Sequence, residues 1–452
     1  MKKAIALLLA LVMVFSMVAC ASSSANKSDN KTNDQTTTPT AAEDKAPASE
    51  EAPETGDAAG DSVKIGILLP FSGASAATGE LQMRGIQMYV DRVNDRGGIQ
   101  SLGGAKIELV KADTTGSPEV GVTEMERLIA ENPDMAAIVG PYQSGVGSAT
   151  VPIAEKYGVP YVLCNCTTDS VLGDPNIKYS FRPNMSNIFL AYGFIDLINA
   201  FNEIEPDSCK RVAILYESSD WGVGVYENLV NIVMPAVGAE VVVTECFDTG
   251  VSDFSAMINK LKASDVDLVF PLMYLSDAIL FVNQMREYDC NVPMMAQGAG
   301  FLVNDFIPSV GDLSNYIFSA CAWIADMIGS RSEEAQKLAA DYKAEFGSDM
   351  TEYEVNGWLA MAVAVDALER SGSTDHDTLA EALLATDLQP DDEALMFHDY
   401  TGVQFGEMEG MVHQNVKANA CFVQCIDGEY KYITTTADDP TIVWPVPGWS
   451  ER

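Results

Sequence analysis

The sequence predicts an α/β protein made of two doubly wound lobes, each with a parallel sheet. Three observations carry that expectation. Short apolar runs of the kind buried on both faces of a parallel sheet recur from Val63 onward. Each run is followed by a loop of small residues and then by a helical pattern. The series also restarts after Arg182-Pro183, so one set of βα units is followed by a second. Strand starts fall roughly 25 to 30 residues apart, about the length of one βα unit.

The chain of 452 residues is long enough for two separate cores. It begins with Lys2 and Lys3, an apolar stretch from Ala4 to Phe15, and then Ser16-Met17-Val18-Ala19-Cys20. That stretch is too short to span a bilayer and reads as a secretory signal over residues 1–20. Ala19 directly before Cys20 resembles a bacterial lipobox, which makes Cys20 the expected lipidation site and its acyl chains a membrane anchor. A plain cleaved signal with an incidental cysteine is the alternative. Residues 21–61 are Ser, Thr, Asn, Asp, Glu, Ala and Pro with almost no large apolar side chain, a composition that suits a flexible tether.

Val63–Leu69 is the first strand, ending at Pro70 and a loop of small residues. Leu81, Gly85, Tyr89 and Val93 then recur at helical spacing, and Gly97-Gly98 closes the helix. Strands are expected at Lys106–Lys111, Met135–Val139 and Tyr161–Cys164, with helices starting near Ser117-Pro118 and after Gly140-Pro141-Tyr142-Gln143-Ser144-Gly145. In the second set a helix spans about Ser186–Phe201. Strands follow near Arg211–Tyr216, Glu240–Phe247, Asp267–Leu272, Val292–Ala296 and Tyr316–Ala322. Helices are expected around Glu333–Phe346, Glu354–Arg370 and Asp377–Ala385, then strands at Met411–Val416, Ala420–Ile426 and Tyr430–Ile433. Asp427-Gly428 marks a hairpin between the last two.

Composition excludes some partners. A formal charge of −38 argues against nucleic acid, because phosphate binding needs clustered Lys and Arg. The eight cysteines after Cys20 are even in number, so disulfides are allowed, but their spacings fit no zinc site and no metal or other cofactor is expected. With three histidines, no HExxH helix, no GxSxG elbow and no complete GxGxxG, hydrolase and nucleotide-binding chemistry have little support.

The stretches VKIGILLPFSGASAATG, NDRGGI, KIELVKADTTGSPEVGV, AAIVGPYQSGVGSA, YGVPYV, RVAILYESSDWGVGVYE, DFSAMINKLKASDVDLVF and FVNQMREYDCNVPMM, in that order, resemble the type I periplasmic binding proteins. The likeness runs from Val63 to Ile433 and is strongest to the Leu/Ile/Val-binding branch of ABC-transporter solute receptors. It implies a Venus-flytrap fold with three crossovers, near Arg182–Met185, Ala322–Ala325 and Met396–Thr401. Lobe one would then be residues 62–184 plus 324–395, and lobe two residues 185–323 plus 396–452.

The same resemblance implies where a ligand sits. Its carboxylate would be held by Ser144 and Thr167, with backbone donors around Gly145 and Asn165, since hydroxyls and free N–H groups at a helix N-terminus attract anions. The plain structural role for Ser144 is a helix N-cap. Trp221, Tyr274 and Tyr353 take the positions of cleft aromatics; Trp221, beside Ser218, Ser219 and Asp220, reads as exposed in a loop, and simple core packing is the other role for all three. Thr78 stands where relatives often have an aromatic residue. Gly298 stands where they place an acid against the ligand ammonium. Either Glu217, Asp220 or Asp277 replaces that acid, or the ligand is not a standard α-amino acid.

The resulting expectation is a monomeric, non-enzymatic, lipid-anchored extracytoplasmic protein. It would capture a small, carboxylate-bearing solute between its lobes and hand it to the membrane permease of an ABC importer. A surface sensor subunit on the same fold is the alternative, with a secreted hydrolase further behind.

Overall fold

The computed structural model describes residues 62–452; the expected signal, the Cys20 lipidation site and the tether lie outside the described residues. Five parallel strands form the first sheet: β1 (Val63–Leu69), β2 (Ile107–Asp113), β3 (Ala137–Val139), β4 (Tyr161–Val162) and β5 (Ser180–Phe181), in the order β2-β1-β3-β4-β5. Ile65, Ile67, Leu68 and Leu69 are fully buried, as the continuous apolar run of β1 requires of a central strand covered on both faces.

The second sheet begins with β6 (Arg211–Glu217), β7 (Glu240–Phe247) and β8 (Leu268–Leu272), all parallel. A bridge from Val269 to Met294 carries it on to β9 (Met295–Gln297) and β10 (Phe318–Cys321). Between the two sheets' contributions, helices Glu333–Phe346, Glu352–Ser371 and His376–Leu384 follow β10. The middle one lies along helix Ala76–Asp95 of the first lobe. Gly85 and Gly357 permit that approach: a Cβ on Gly85 would overlap the Glu354 carbonyl, and one on Gly357 the Gln82 carbonyl. Beside them Tyr89 and Trp358 meet edge to face with ring centroids 4.9 Å apart.

The last part of the chain departs from expectation. The resemblance places residues 396–452 in lobe two, but they divide. The strands β11 (Asp387–Leu388), β12 (Val403–Met408) and β13 (Met411–Asn415) form a small antiparallel sheet of their own. That sheet continues the edge at β5: the Arg182 N–H donates to the His413 carbonyl (3.0 Å) and the Asn415 N–H to the Arg182 carbonyl (2.9 Å). Only β14 (Cys421–Ile426) and β15 (Glu429–Ile433) join the second sheet, antiparallel to β10 and to each other. The third crossing therefore falls at residues 416–420 rather than 396–401, and the expected β14–β15 hairpin extends the parallel strands of the second sheet. The free backbone groups beyond β5 need partners, and β13 supplies them. Asp427 and Gly428 both have positive φ (51° and 74°), the turn that the hairpin between β14 and β15 needs.

The eight described cysteines are free, and seven are buried. Cys321 and Cys421 face each other in register with their sulfurs 3.1 Å apart. No described helix is long and apolar enough to cross a membrane.

The helix crossing yields a direct test. Gly85→Val should lower stability by about 1–3 kcal/mol or more, because the new side chain has no room against the Glu354 carbonyl. Urea unfolding of the two proteins would show this as a lower midpoint, and an unchanged midpoint would mean the two helices do not touch there.

Candidate functional site

Strand ends from the two sheets face each other across a cavity of about 40 Å³. One water occupies roughly 10–15 Å³ by the same measure, so the cleft is nearly shut. From the first lobe come Tyr142 and Ser144 after β3, Asn165 and Thr167 after β4, and Glu352, Tyr353 and Asn356 from one helix. Trp221, Tyr274, Gln297 and Ala299 come from the second lobe, and Asn184, Met185 and Ala322 from the crossings.

Ser144 is brought there by a tight loop. Gly140 has φ +144° and lies so close to the Leu68 carbonyl that a Cβ would overlap it, so only glycine lets the chain leave β3 in that direction. The chain then enters helix Ser144–Tyr157, whose N-cap is Gln143. Ser144 is therefore the first helical residue rather than the cap. Its Oγ accepts the Thr168 N–H (3.3 Å), which leaves its own hydroxyl hydrogen free for a ligand oxygen. The unpaired N–H groups of that first turn add positive potential. On the neighbouring loop the Thr167 carbonyl accepts the Asn187 N–H (2.8 Å), and Asn165 Oδ1 accepts Asn356 Nδ2 (2.7 Å).

Aromatic rings close the other side. Tyr274 lies 5.3 Å from Trp221 and 6.1 Å from Tyr142, and Tyr142 meets Tyr353 edge to face at 5.7 Å, centroid to centroid. Trp221 does not sit exposed in a loop. It is the second residue of helix Asp220–Asn228, which Ser219 caps, and it is 6 % exposed beneath the opposing lobe. Several hydrogen bonds span the lobes: beside the cavity the Tyr353 hydroxyl donates to the Ala299 carbonyl (2.8 Å) and Thr168 Oγ1 to the Asp220 carbonyl (3.2 Å), and further out Asn228 Nδ2 donates to Asp169 Oδ2 (2.7 Å) and Asn304 Nδ2 to Ser348 Oγ (3.3 Å).

Six of the nine ligand positions expected from sequence line the cavity: Ser144, Asn165, Thr167, Trp221, Tyr274 and Tyr353. Thr78, Gly145 and Gly298 do not. Thr78 is buried near the Tyr142 hydroxyl. A Cβ on Gly145 would stand 3.8 Å from Asp220 Cγ, where the lobes approach outside the cavity.

None of the three acids weighed as substitutes lines the cavity. Asp277 accepts the Gly250 N–H (2.9 Å) elsewhere, Asp220 opens its helix, and Glu217 accepts the Ser219 hydroxyl (2.6 Å) at the end of β6. The carboxylate in the cavity is Glu352, which sequence reasoning did not single out. Its Oε2 accepts the Ala322 N–H (2.8 Å), and its Oε1 lies 3.0 Å from where a Cβ on Gly298 would be. A carboxylate from the first lobe thus occupies the space that a side chain at 298 would enter. Burial pushes the Glu352 carboxyl up to about 7 and that of Glu217 up to about 8. Asn184 Oδ1, Gln297 Oε1 and Asn356 Oδ1 are also buried at the cavity without a partner, so the walls present acceptors to a ligand that carries donors.

Residues 62–410 match the family described as "Periplasmic binding protein". The Leu/Ile/Val-binding protein homolog 8 of Brucella melitensis is 28 % identical over 388 residues, covering 84 % of this chain and 92 % of that protein. Among solved structures, the branched-chain amino acid transporter substrate binding protein LivJ of Streptococcus pneumoniae, in complex with isoleucine, has a TM-score of 0.69 at 22 % identity. That match covers 84 % of this chain and all of the other. A solute binding protein of an ABC transporter from R. palustris, in complex with benzoate, has a TM-score of 0.66 at 19 % identity, with coverages of 82 % and 96 %. At such identities the two structures establish the fold.

The raised carboxyls make a pH prediction. An unfolded Glu titrates near ~4.3, so both groups hold their proton more tightly when folded. Their stabilising contribution is complete below that value and is lost as pH rises through the window up to about 7 and 8. The ligand-free melting temperature should fall from pH 5 to pH 8, and Glu217→Gln should flatten that fall. A variant with the same slope as the parent would show that Glu217 is ionised throughout.

Proposed function

The chain belongs to the periplasmic binding proteins, and from that premise we propose that it is the extracytoplasmic solute-binding lipoprotein of an ABC importer. In this reading Cys20 carries the lipid anchor and residues 21–61 let the folded part range above the membrane. The protein captures a small carboxylate-bearing solute between its lobes and delivers it unchanged to a permease. The observation that supports this most is the cavity itself. Hydroxyl and N–H donors at Ser144 and Thr167 come from one lobe, and aromatic cover from Trp221 and Tyr274 comes from the other.

Binding and closure follow from that division. The solute's carboxylate docks on the Ser144 and Thr167 loops of the open first lobe. The second lobe then swings over it, and the Tyr353–Ala299 and Thr168–Asp220 hydrogen bonds form only in the shut state. An amino acid is favoured over a plain aromatic acid, because Glu352 and the unpartnered amide oxygens call for donors on the ligand. An ammonium brought to Glu352 makes that carboxyl ionise, which offsets the cost of burying either charge alone.

A thermal-shift screen of the proteinogenic amino acids, their deaminated acids and benzoate on the protein from Asp61 onward should find compounds that raise the melting temperature. Ser144→Ala should then weaken a bound carboxylate by about 1–3 kcal/mol by calorimetry. Glu352→Gln should weaken an amino acid by a similar amount and spare its deaminated acid. An unchanged affinity would remove the substituted residue from the site, and a screen with no hit would contradict the reading as a whole.

A further inference from the structure

Arg182 has no exposed surface, yet among the described residues no carboxylate forms an ion pair with it. Nε donates to Gln414 Oε1 (2.6 Å), Nη2 to the Met411 sulfur (2.9 Å), and Nη1 to two carbonyls, those of Cys166 (2.7 Å) and Thr168 (2.8 Å). Asp169 acts on it only from further off. That carboxylate is itself engaged, by the Ile188 N–H (3.2 Å) and by Asn228 Nδ2 (2.7 Å). A buried cation held only by neutral groups is costly, and a fold that keeps one needs a reason.

The reason lies in which carbonyls it holds. The Cys166 carbonyl and the Thr167 N–H belong to one planar trans peptide and point in opposite directions. With the guanidinium behind the carbonyl, the N–H is aimed away from Arg182, on the residue that lines the cavity. A charge-assisted bond at one end of an amide polarises it and strengthens donation at the other. The lining residues themselves include no lysine, arginine or histidine. The positive charge of this wall therefore stands one peptide behind it.

We propose that Arg182 supplies the fixed positive charge that selects an anionic ligand group, acting through the Cys166–Thr167 peptide rather than by contact. The proposal rests on reading the Ser144 and Thr167 loops as the carboxylate dock. It makes Arg182 a positioning and specificity residue: a neutral polar group fits the same donors, but only an anion gains from the charge behind them. Its backbone lies in the first crossing, paired with β13, so the charge stays fixed when the second lobe moves.

The test pairs each carboxylate hit from the screen with its own primary amide. Calorimetry on the parent, Arg182→Gln, Arg182→Met and Arg182→Lys then gives the ratio of the two affinities. The neutral variants should lose about tenfold or more of the carboxylate preference with little change for the amide, while Arg182→Lys retains it. A purely structural clamp would weaken acid and amide alike and leave the ratio unchanged; that result in a folded neutral variant overturns the proposal. If the neutral variants fail to fold, the parent decides. A preference that originates from a buried charge survives an increase in salt from 0.02 M to 0.5 M, whereas one that fades with salt belongs to surface charges and overturns it. A screen with no carboxylate hit refutes the carboxylate dock itself, whereas a hit with an unmoved ratio refutes only the role of Arg182.

Discussion

Parallel pairing fixes which end of a strand faces which way, and the whole site depends on that. Because β1 to β5 run in one direction, the loops after β3 and β4 leave the same edge of the first sheet. The loops after β6, β8 and β9 leave one edge of the second sheet for the same reason. Ser144 and Thr167 on one side, and Trp221, Tyr274 and Gln297 on the other, become neighbours through this geometry although the sequence separates them widely. The two sheets need only turn those edges toward each other, and the crossings at β5, β10 and β13 do that.

Closure has an opposing term. In the nearly shut cleft Asn184 Oδ1, Gln297 Oε1 and Asn356 Oδ1 are buried away from water without protein partners. Each such group costs on the order of 1–3 kcal/mol. Contacts among Tyr142, Trp221, Tyr274 and Tyr353 oppose that cost, as do the hydrogen bonds between the lobes. A solute whose donors meet those oxygens removes the penalty and makes the shut state the stable one. In the proposed function, these same unsatisfied oxygens are what would let a ligand drive the hinge.

Much of the fold was legible because buried parallel strands are written as apolar runs, as in Val63–Leu69 and Leu268–Leu272. Glu240–Phe247 and the Asp427-Gly428 turn are where the pattern places them. What escaped were elements without such a signature. The two-residue strands β5 and β11 are too short to show a period, and β12 carries Gly406 and Glu407 within a half-exposed strand. At the site, loop positions after strands were readable, but the exposure of Trp221 was not, since the opposing lobe covers it. Glu352 was hidden by its own neighbourhood: Thr351 and Glu354 form a capping box, so the acid between them reads as ordinary first-turn charge. A carboxylate inside a capping box that directs no bond to the cap was the available signal.

The central claim is that two lobes shut on a solute and open without it. Small-angle X-ray scattering on the protein from Asp61 onward, with and without a compound that raises its melting temperature, tests this most directly. The account predicts a smaller radius of gyration and a narrower distance distribution in the bound state. Identical curves for free and bound protein would contradict it.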